Sequence, residues 1–571
     1  MCIRDRLRSF LFLLLTACIL STGGSLFAGT KYLEPYMNSG QIVDLLHAAL
    51  PGDTLLFSEG TYKGAFALHN LHGEPGRPIV IRGVSREQSI IDGGVVPGMN
   101  LEHQAFRLTD CSWIVIEELA IRNCWTDLVW ARNSSYISLR KCDLRGGKRA
   151  LFATGRGSHH FLIEQCSWEQ DERVWTQPGD YTWDEIHHGI HSHFNGSLFQ
   201  GSDISGVFVL RDNNIQNTFN AFRLSQINSG ESDPLACTNG EIYRNTIVNT
   251  SDNVLEPEVH TRNLHFYHNT MINGHAFISI TDVLGGEIYI YGNTAVSLPA
   301  ADDGWTIFKI SCIEDSLSQP LYIYNNSWQV DFDIIGSPRN LWENSHIRHF
   351  NNACFSEVSD SFGIYFLGED NRFDYDCSNV PFPSLLTSAG HEEHGVVADP
   401  MFRAPYEGDF RLKEGSPCIK KGRRAPDLIL DHRGRRPDIG AYNKGALIEG
   451  MPFRYVDPEV PVPYRELPRI TRVKIQKRQV KIWFSLPMDA FSLKAIRKTL
   501  LYADMHYPLS YSKLSEDGYC LTLNADTQSL GDQGDTRDMQ LLFSGWPKDL
   551  EGKKLNSWAS DIPVSLYPLV P

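Results

Sequence analysis

Short runs of alternating apolar and polar residues recur along the middle of the chain, among them VLRDNNIQN, EIYRNTIVN, LHFYHNTMIN and LYIYNNSWQV. Alternation of this kind is typical of a β-strand that buries one face. Near the end of each run is a position, here called a marked position, that is followed two residues later by an apolar residue. These positions are Leu119, Cys142, Cys166, Asn213, Asn245, Asn269, Asn293, Asn326 and Asn352.

The spacing of these positions predicts a parallel β-solenoid. The intervals between them are 23, 24, 47, 32, 24, 24, 33 and 26 residues, so they cluster near 24. One unit of this length cannot bury its own apolar face, and stacked units must therefore share a core. Asparagine suits a tight bend, because it tolerates left-handed backbone angles and hydrogen-bonds its neighbours. We therefore predict one coil for each repeat, with a bend at each marked position.

The N-terminal residues have the pattern of a signal peptide. Three arginines precede the apolar run from Phe10 to Leu20, and small residues follow, which predicts a signal peptide over residues 1–28. The string LTAC, which ends at Cys18, resembles a lipoprotein cleavage box and offers anchoring at the cell surface as an alternative. No later segment is long and apolar enough to predict a membrane-spanning helix. The expected location is secreted, periplasmic or on the cell surface.

Three further parts follow in the chain. The solenoid is predicted over residues 30–448, with the helix-like string QIVDLLHAAL as a cap on its open end. Five prolines predict an extended linker over residues 449–468. Renewed alternation in RVKIQKRQVKIWFSLPMD and GYCLTLNAD predicts a small β-sandwich over residues 469–571.

Composition narrows the choice of partners. The chain of 571 residues is 42% hydrophobic and 21% charged, which is ordinary for a globular protein. Its formal charge of -15 argues against a nucleic-acid partner, which requires a basic face. An acidic polymer would need a local basic patch or a bridging cation.

Cys142 and Cys166 fall at equivalent places in neighbouring coils, where buried free thiols are favoured and a disulfide remains the alternative. We expect a monomer.

Strings at both ends of the solenoid resemble a known family. PGDTLLFSEGTYKG, GEPGRPIVIRG and IIDGG resemble the first coils of secreted bacterial right-handed parallel β-helix proteins of the pectate-lyase-like superfamily, and ADPMFRAPYEGDFRLKEGSPCIKKG resembles their last coils. The string VKIWFSLPMD is similar to a strand of bacterial Ig-like domains. The resemblance implies an all-β protein, a right-handed parallel β-helix followed by a small C-terminal β-sandwich. It does not imply one reaction, since this solenoid carries lyases, hydrolases, epimerases and adhesins.

The longest interval predicts a loop that contacts substrate. Extra residues in a solenoid leave the coil as loops, and such loops often build the binding face. Aromatic rings stack on sugars, and histidine serves as acid, base or metal ligand near neutral pH. A packed loop without a ligand is the alternative. The candidate substrate-binding residues are Trp175, Trp183, His187, His191 and His193.

Alignment of four later coils predicts a second cluster. With Phe222, Leu255, Ile278 and Phe308 as inward equivalents, Arg223, Glu256, Ser279 and Lys309 form an outward column. Neighbouring carboxylates require a cation or a basic partner. The predicted calcium ligands are Asp252, Glu256 and Glu258. A surface Arg–Glu ladder without a ligand is the alternative.

The string EPE resembles the calcium-binding Glu-x-Glu of the alginate and chondroitin lyase family. That family carries a lysine soon afterwards and an Arg-His pair in the next coil, and this chain departs from both patterns. The candidates for the base and the neutralising cation here are therefore His260, Arg262, Lys309 and Arg223.

These observations favour a secreted carbohydrate-active protein. Among carbohydrate-active functions they favour a polysaccharide lyase that cleaves an acidic, uronate-containing polysaccharide by β-elimination, with calcium as a candidate cofactor. A glycoside hydrolase on the same fold would require two carboxyl groups that flank the scissile bond. A surface adhesin that binds glycans without turnover is the third alternative.

Overall fold

The computed structural model describes most of the solenoid and parts of the C-terminal region. Predictions that fall on other residues, including nearly all of the signal peptide, lie outside the described residues. The described residues are 28–96, 103–155, 157–170, 195–225, 237–257, 261–281, 287–297, 306–311, 320–334, 346–364, 371–425, 428–429, 436–451, 453–455, 470–476, 478–484, 487–495, 498–502, 505–525, 539–543 and 564–566.

Three stacks of parallel strands run along the solenoid, and most coils from Thr54 to Ser311 contribute a strand to each stack in turn, whereas the coils after Ser311 contribute to the first two stacks. This arrangement confirms the predicted all-β class and the parallel β-helix. The first sheet consists of Thr30–Leu33, Thr54–Phe57, Ile79–Gly83, Ser112–Glu117, Ser135–Arg140, His159–Glu164, Gly206–Arg211, Thr238–Tyr243, Arg262–Tyr267, Ile288–Tyr291, Leu321–Tyr324, Ile347–Phe350 and Arg372–Asp374.

The second and third sheets share two long strands, Thr246–Pro257 and Thr270–Thr281, which bend from one sheet into the other. The other strands of the second sheet are Gly60–Tyr62, Ser89–Val95, Ala120–Cys124, Asp143–Arg145, Ser167–Glu169, Asn214–Thr218, Thr294–Val296, Ser327–Val330, Ala353–Ser356, Cys377–Ser378 and Val396–Val397. Those of the third sheet are Phe66–His69, Phe106–Thr109, Asp127–Arg132, Arg149–Thr154, Ser197–Ser202, Phe222–Ser225 and Thr306–Ser311.

Few helices accompany these sheets in the described residues. The predicted cap is the helix Ser39–His47, which starts with a capping box at Asn38 and buries Ile42 and Leu46 against the solenoid core. No helix of the described residues has the length and hydropathy that a membrane crossing requires. The other helical elements and short hairpin strands are Ser384–Thr387, Pro405–Glu407, Ala490–Ala495, Phe402–Ala404, Asp409–Leu412, Tyr442–Asn443 and Ala446–Leu447.

The C-terminal region contains a seven-stranded sheet, antiparallel except for its last pair. It buries a separate apolar cluster that includes Ile482, Leu500 and Leu521. The Ig-like character of this region stays a prediction. The strands, in spatial order, are Ile470–Gln476, Gln479–Phe484, Cys520–Ala525, Met505–Leu514, Lys498–Tyr502, Met539–Phe543 and Val564–Leu566.

The marked positions of the sequence form a buried ladder at the bend between the first and second sheets. In Asn269, the backbone N–H donates to the side-chain oxygen of Asn293 at 2.9 Å, and the side-chain amide donates to the Ile242 carbonyl at 3.0 Å. Its own side-chain oxygen accepts from the Asn245 backbone N–H at 3.0 Å. The same pattern recurs at Asn213, Asn245, Asn293, Asn326 and Asn352.

The left-handed backbone angle at each bend belongs to the residue before the ladder position and not to the asparagine. Asp212, Arg244 and His268 have φ values of 57°, 53° and 54°. The expectation that the asparagines themselves adopt this conformation is therefore wrong. Their selection reflects hydrogen bonding, because an amide can donate and accept at once inside the stack.

The cysteines of the described residues are free thiols, and eight of the nine are buried. Cys142 and Cys166 occupy ladder positions, where the Cys142 backbone N–H donates to the Cys166 sulfur at 3.4 Å. Burial raises the pKa of the Cys166 thiol well above its ordinary value. These thiols therefore act as small apolar groups, as the sequence favoured.

Replacement of Asn269 by leucine should lower the free energy of unfolding by about 3 kcal/mol, because it leaves the Asn245 N–H and the Ile242 carbonyl buried without partners. Urea unfolding measures the change. The matched control is Asn214→Leu, which alters an exposed strand residue and should shift the free energy by less than about 0.5 kcal/mol. Equal effects of the two substitutions would contradict a buried ladder.

The ladder ends on two buried carboxyl groups. Asn352 donates to Asp376 at 2.7 Å, and the Asp376 backbone N–H donates to Glu392 at 3.2 Å. Burial, reinforced by the neighbouring Asp376, raises the pKa of the Glu392 carboxyl well above its ordinary value. Glu392 therefore keeps its proton at pH values at which it would lose it in the unfolded chain.

Because the raised pKa belongs to the folded state, the stabilising contribution of Glu392 is complete below its unfolded pKa of about 4.3 and declines as pH rises toward the folded pKa. Glu392→Gln should remove this decline. The variant should gain stability relative to wild type as pH rises from about 4, by at most about 1.4 kcal/mol for each pH unit. Urea unfolding across pH tests this. Exposed Glu393→Gln is the control, and a parallel pH dependence in both variants would refute the assignment.

Candidate functional site

The outer face of the first sheet carries a compensated ladder of charge. Register places Arg82, Glu117, Arg140, Glu164 and Arg211 on successive strands, so that cations and anions alternate. Arg140 and Arg211 contact opposite oxygens of Glu164, at 2.5 Å and 2.6 Å. Every charge in this column has a neighbour of opposite sign, as expected of a structural surface ladder.

Further along the same sheet the column becomes aromatic. Tyr243, Tyr267, Tyr291, Tyr324 and Phe350 stack with ring centroids 4.8–5.2 Å apart. The later part of the chain covers this stack, and it contributes Ala425, Leu428, Ile429 and Ile448 to one buried cluster with the rings. The first sheet therefore offers a neutralised surface at one end and a covered one at the other.

The outer face of the third sheet is different, because its charges do not alternate. Its central column, here called the third-sheet column, follows the strand register through Arg107, Trp130, Phe152, Gln200, Arg223, Glu256, Ser279 and Lys309. This register confirms the alignment that the sequence predicted for Arg223, Glu256, Ser279 and Lys309. The described strands of this sheet carry five lysines and arginines on this face and two carboxylates. The cations are Arg107, Arg132, Arg149, Arg223 and Lys309, and the carboxylates are Asp127 and Glu256.

Arg223 and Glu256 form the first half of a central cluster. Their side chains meet at 3.1 Å, and Glu256 is only 7% exposed. The Asn220 side-chain amide donates to the same Glu256 oxygen at 3.0 Å, and Arg223 also donates to Asn195 at 3.0 Å. The paired cation offsets part of the cost of burying this carboxylate.

Arg149 and Asp127 form the second half. The guanidinium makes two contacts with the carboxylate, at 2.5 Å and 3.2 Å, and reaches Gln200 at 3.3 Å. It also lies 3.8 Å over the ring of Phe152. Burial raises the pKa of the Asp127 carboxyl, and the charge of Arg149 opposes that rise.

Lys148 directly precedes the strand that begins at Arg149, and charges of both ion pairs act on its side chain. Burial lowers the pKa of its amine, the positive charges of Arg149 and Arg223 lower it further, and Asp127 opposes the shift. The Ser197 backbone N–H donates to the Lys148 carbonyl at 3.2 Å. At Gly196 a Cβ would lie 1.7 Å from that carbonyl, so only glycine permits the close approach of the two coils here.

Several longer connections of the chain attach at the two edges of the third sheet. Residues 171–194 and 298–305 join second-sheet strands to third-sheet strands, at one edge. Residues 226–236 and 312–319 join third-sheet strands to first-sheet strands, at the other edge. The central cluster therefore lies on a sheet flanked on both sides by points of insertion.

The structure brings together only some of the predicted site residues. Arg223 and Glu256 are in contact, whereas Lys309 lies two strand steps beyond Glu256, roughly 10 Å along the column. Arg262 begins a first-sheet strand, where its charge acts on Glu287. The predicted residues that lie outside the described ones are Trp175, Trp183, His187, His191, His193, Glu258 and His260.

A calcium site would need more oxygen ligands than the described residues bring together. Ca²⁺ takes six to eight oxygen ligands. Asp252 is fully buried, and one oxygen of Glu256 already accepts from Asn220 and takes part in the ion pair with Arg223. Among the described residues no three histidine, cysteine or acidic side chains are grouped to hold a metal. The described residues alone therefore do not fit a calcium site, and calcium stays a prediction that depends on Glu258.

Sequence reasoning missed Lys148, Arg149 and Asp127. They belong to the coil before the longest insertion, so the interval of 47 residues hides their register with Arg223. A signal was present, because the strings RALFAT, SLFQGS and AFRLS align as strands with Leu151, Phe199 and Phe222 inward. Extension of the alignment by two coils would have found the cluster.

No protein-family model and no curated protein matches the sequence. Among solved structures, the chain is similar to pectate lyase Pel9A, at 12% identity over 74% of this chain and 98% of that chain, with a TM-score of 0.39. It is similar to a mannuronic acid specific polysaccharide family 6 lyase from human gut microbiota, at 13% identity over 63% and 88%, with a TM-score of 0.37. It is also similar to the GH136 lacto-N-biosidase from Eubacterium ramulus, at 12% identity over 56% and 65%, with a TM-score of 0.31.

Strand pairing establishes the fold, a parallel β-helix, and the described residues of the third sheet carry more cations than carboxylates on their outer face.

The contributions of Arg223 and Glu256 to the free energy of unfolding should be strongly coupled. Arg223→Met removes the paired cation of a buried carboxylate and should lower the free energy of unfolding by about 2 kcal/mol, less than for a fully buried pair because Arg223 is 24% exposed. In an Arg223→Met/Glu256→Gln double variant the loss should be smaller than the sum of the single losses. Urea unfolding of the four proteins measures the coupling, and strictly additive losses would contradict the pairing.

Proposed function

We propose that this protein is a carbohydrate-active enzyme, and specifically a lyase that cleaves an acidic, uronate-containing polysaccharide by β-elimination outside the cytoplasm. The observation that carries the proposal is the central cluster on the outer face of the third sheet, in which the charges of Arg149 and Arg223 act on half-buried Lys148.

The two arginines suit the carboxylate of a uronate. A guanidinium presents a planar fork of donors that matches a carboxylate, and two of them would offset its charge. In β-elimination a base removes the proton on the carbon next to this carboxylate, and the negative charge that develops spreads onto the carboxylate oxygens. Arg149 and Arg223 would stabilise that charge electrostatically. The glycosidic C–O bond then breaks, a carbon–carbon double bond forms, and the leaving oxygen takes up a proton.

Lys148 is the proposed base. A general base works best when its pKa lies near the working pH, and an ordinary lysine is too basic to be unprotonated there. Burial, together with the two neighbouring arginines, shifts the pKa of Lys148 in the required direction. The other predicted bases are less suited, since Lys309 lies three strand steps from Arg223 and Arg262 lies in the first sheet.

Purified full-length protein should be incubated with alginate, polygalacturonate and glycosaminoglycans, with and without a chelator. The proposal expects ultraviolet absorbance from the new double bond conjugated to the carboxylate with at least one of these polymers. Chain cleavage without this absorbance would favour a glycoside hydrolase, and binding without cleavage would favour an adhesin. Loss of activity with the chelator would support calcium, and either result leaves the assignment of Lys148 open to the next test.

Lys148→Arg should lower the rate of elimination by about 10²–10⁴-fold while polymer binding persists, because arginine keeps the charge and cannot act as a base. The wild-type rate should rise with pH and reach half its maximum below the ordinary lysine pKa of about 10.4. The residual rate of the variant should lose this dependence. The control is Lys141→Arg at an exposed bend. Comparable activity in Lys148→Arg and wild type would exclude Lys148 as the base.

A further inference from the structure

The seven strands of the C-terminal sheet contain no aspartate and no glutamate, although the whole chain has a formal charge of -15. Along Gln479–Phe484, buried apolar residues alternate with half-buried Lys481 and Trp483. The sheet therefore buries one face in its apolar cluster and turns the other face outward. The outward residues of its first four strands in spatial order, here called the C-terminal face, are Arg472, Lys474, Gln479, Lys481, Trp483, Ser510, Lys513, Cys520, Thr522 and Asn524.

Three lysines of the C-terminal face form one row across the strands. Register pairs Lys474 with Lys481, Lys481 with Thr522, and Thr522 with Lys513. At about 4.8 Å for each strand step, this lysine row is roughly 14 Å wide. Lys474 lies directly opposite Lys481, and like charges in that position destabilise a sheet. Folding alone would therefore disfavour the lysine row.

The charges of the C-terminal face are not neutralised within the part of the chain that the structure describes. Lys474, Lys513 and Arg472 are exposed, and no carboxylate of the described residues forms an ion pair with them or with Lys481. Asp517 belongs to a neighbouring turn, where it accepts hydrogen bonds from the Ser515 hydroxyl and the Tyr519 backbone N–H. The face is therefore a cationic surface on an acidic protein.

An aromatic ring and two amides accompany these cations. The indole of Trp483 is half-buried, and the Arg472 guanidinium lies 5.1 Å from the centroid of its ring. Beside the lysine row, the side-chain amide of Gln479 donates to Asn524 at 3.4 Å. Cations bind carboxylates, aromatic rings offer apolar surface to the C–H faces of sugar rings, and amides hydrogen-bond hydroxyl groups. This combination fits a sugar chain that carries carboxylates.

We propose that the C-terminal face is a second binding site for acidic polysaccharide, which holds the polymer without a part in the reaction. The identity of the polymer rests on the proposed function, whereas the place of binding rests on the residues of the C-terminal face. A polymer held at two sites of one protein dissociates less readily, because rebinding at either site becomes intramolecular.

Two other anionic partners fit the C-terminal face less well. A nucleic acid would meet the repulsion of a protein with a formal charge of -15 and would require many phosphate contacts. A membrane surface is bound firmly where several apolar side chains insert beside the cations. Trp483 is the one large apolar side chain of the C-terminal face as defined above, and its neighbours are polar.

The experiment measures binding of polygalacturonate to full-length protein by affinity electrophoresis at fixed ionic strength. All proteins carry Lys148→Arg, so that the proposed elimination does not shorten the polymer. The row variant carries Lys474→Gln, Lys481→Gln and Lys513→Gln in addition.

The matched control removes the same charge elsewhere. It carries Lys413→Gln, Lys420→Gln and Lys421→Gln, which change three exposed lysines that follow the last strand of the second sheet. Because row variant and control have the same formal charge, a difference between them reports the place of binding and not the overall charge of the protein.

The row variant should raise the dissociation constant about tenfold, and the control should change it less than twofold. With carboxyl-reduced polygalacturonate, the row variant and its parent should bind equally. Equal effects of row variant and control, or a difference that persists with the reduced polymer, would overturn the proposal. So would a loss of binding confined to single-stranded DNA or to vesicles of anionic phospholipid.

Urea unfolding distinguishes a lost binding site from a damaged fold. The row variant should be at least as stable as its parent, because the substitutions remove like charges that lie opposite each other. A less stable row variant would assign the lysines to the fold and would also overturn the proposal.

The failure of the proposed function would look different. If the row variant loses binding but the wild type yields no unsaturated product from any polyuronate, the second site stands and the lyase reaction falls. If unsaturated product forms while the row variant binds as its parent does, the reaction stands and the second site falls.

Discussion

Hydrogen bonding between successive coils is the constraint on which the rest of this structure depends. Each coil must return to the same lateral position, because its backbone N–H and carbonyl groups pair with those of the coils before and after it. The buried asparagine ladder fixes where each coil bends, since the side-chain amide of Asn269 donates to the Ile242 carbonyl and to Asn293 and accepts from Asn245 of the coil before it. Residues far apart in sequence, such as Arg149 and Gln200, thereby become neighbours.

The same stacking that builds the fold also creates columns of side chains, and the content of a column decides its role. In the first sheet, Arg140 and Glu164 continue an alternation that neutralises every charge, and the later tyrosines stack under a covering segment. In the third sheet the cations are not alternated in this way, and the insertions of the chain attach at both edges. Two of these cations, Arg149 and Arg223, are paired with Asp127 and Glu256, whereas exposed Arg107 and Arg132 form no ion pair with a carboxylate of the described residues.

Much of this architecture followed from the sequence, because the register of a solenoid repeats. Phe222, Leu255, Ile278 and Phe308 align in the structure as their alternation predicted. The left-handed backbone angle was expected at the asparagine, one position too late. At each bend the residue that adopts this conformation directly precedes the residue that forms the ladder hydrogen bonds. Lys148 was missed because a long insertion separates it from Arg223, and sequence distance then says nothing about lateral distance. The pKa shift of Lys148 likewise depends on burial and on neighbours that only coordinates supply.

The central claim is that the cationic face of the third sheet is where this protein meets an acidic sugar chain. A crystal structure of the Lys148→Arg variant with a bound oligogalacturonate tests it most directly. The account predicts the oligosaccharide on the outer face of the third sheet, with a carboxylate in contact with Arg149 and Arg223. An oligosaccharide bound to the first or second sheet, or to the C-terminal region alone, would contradict it.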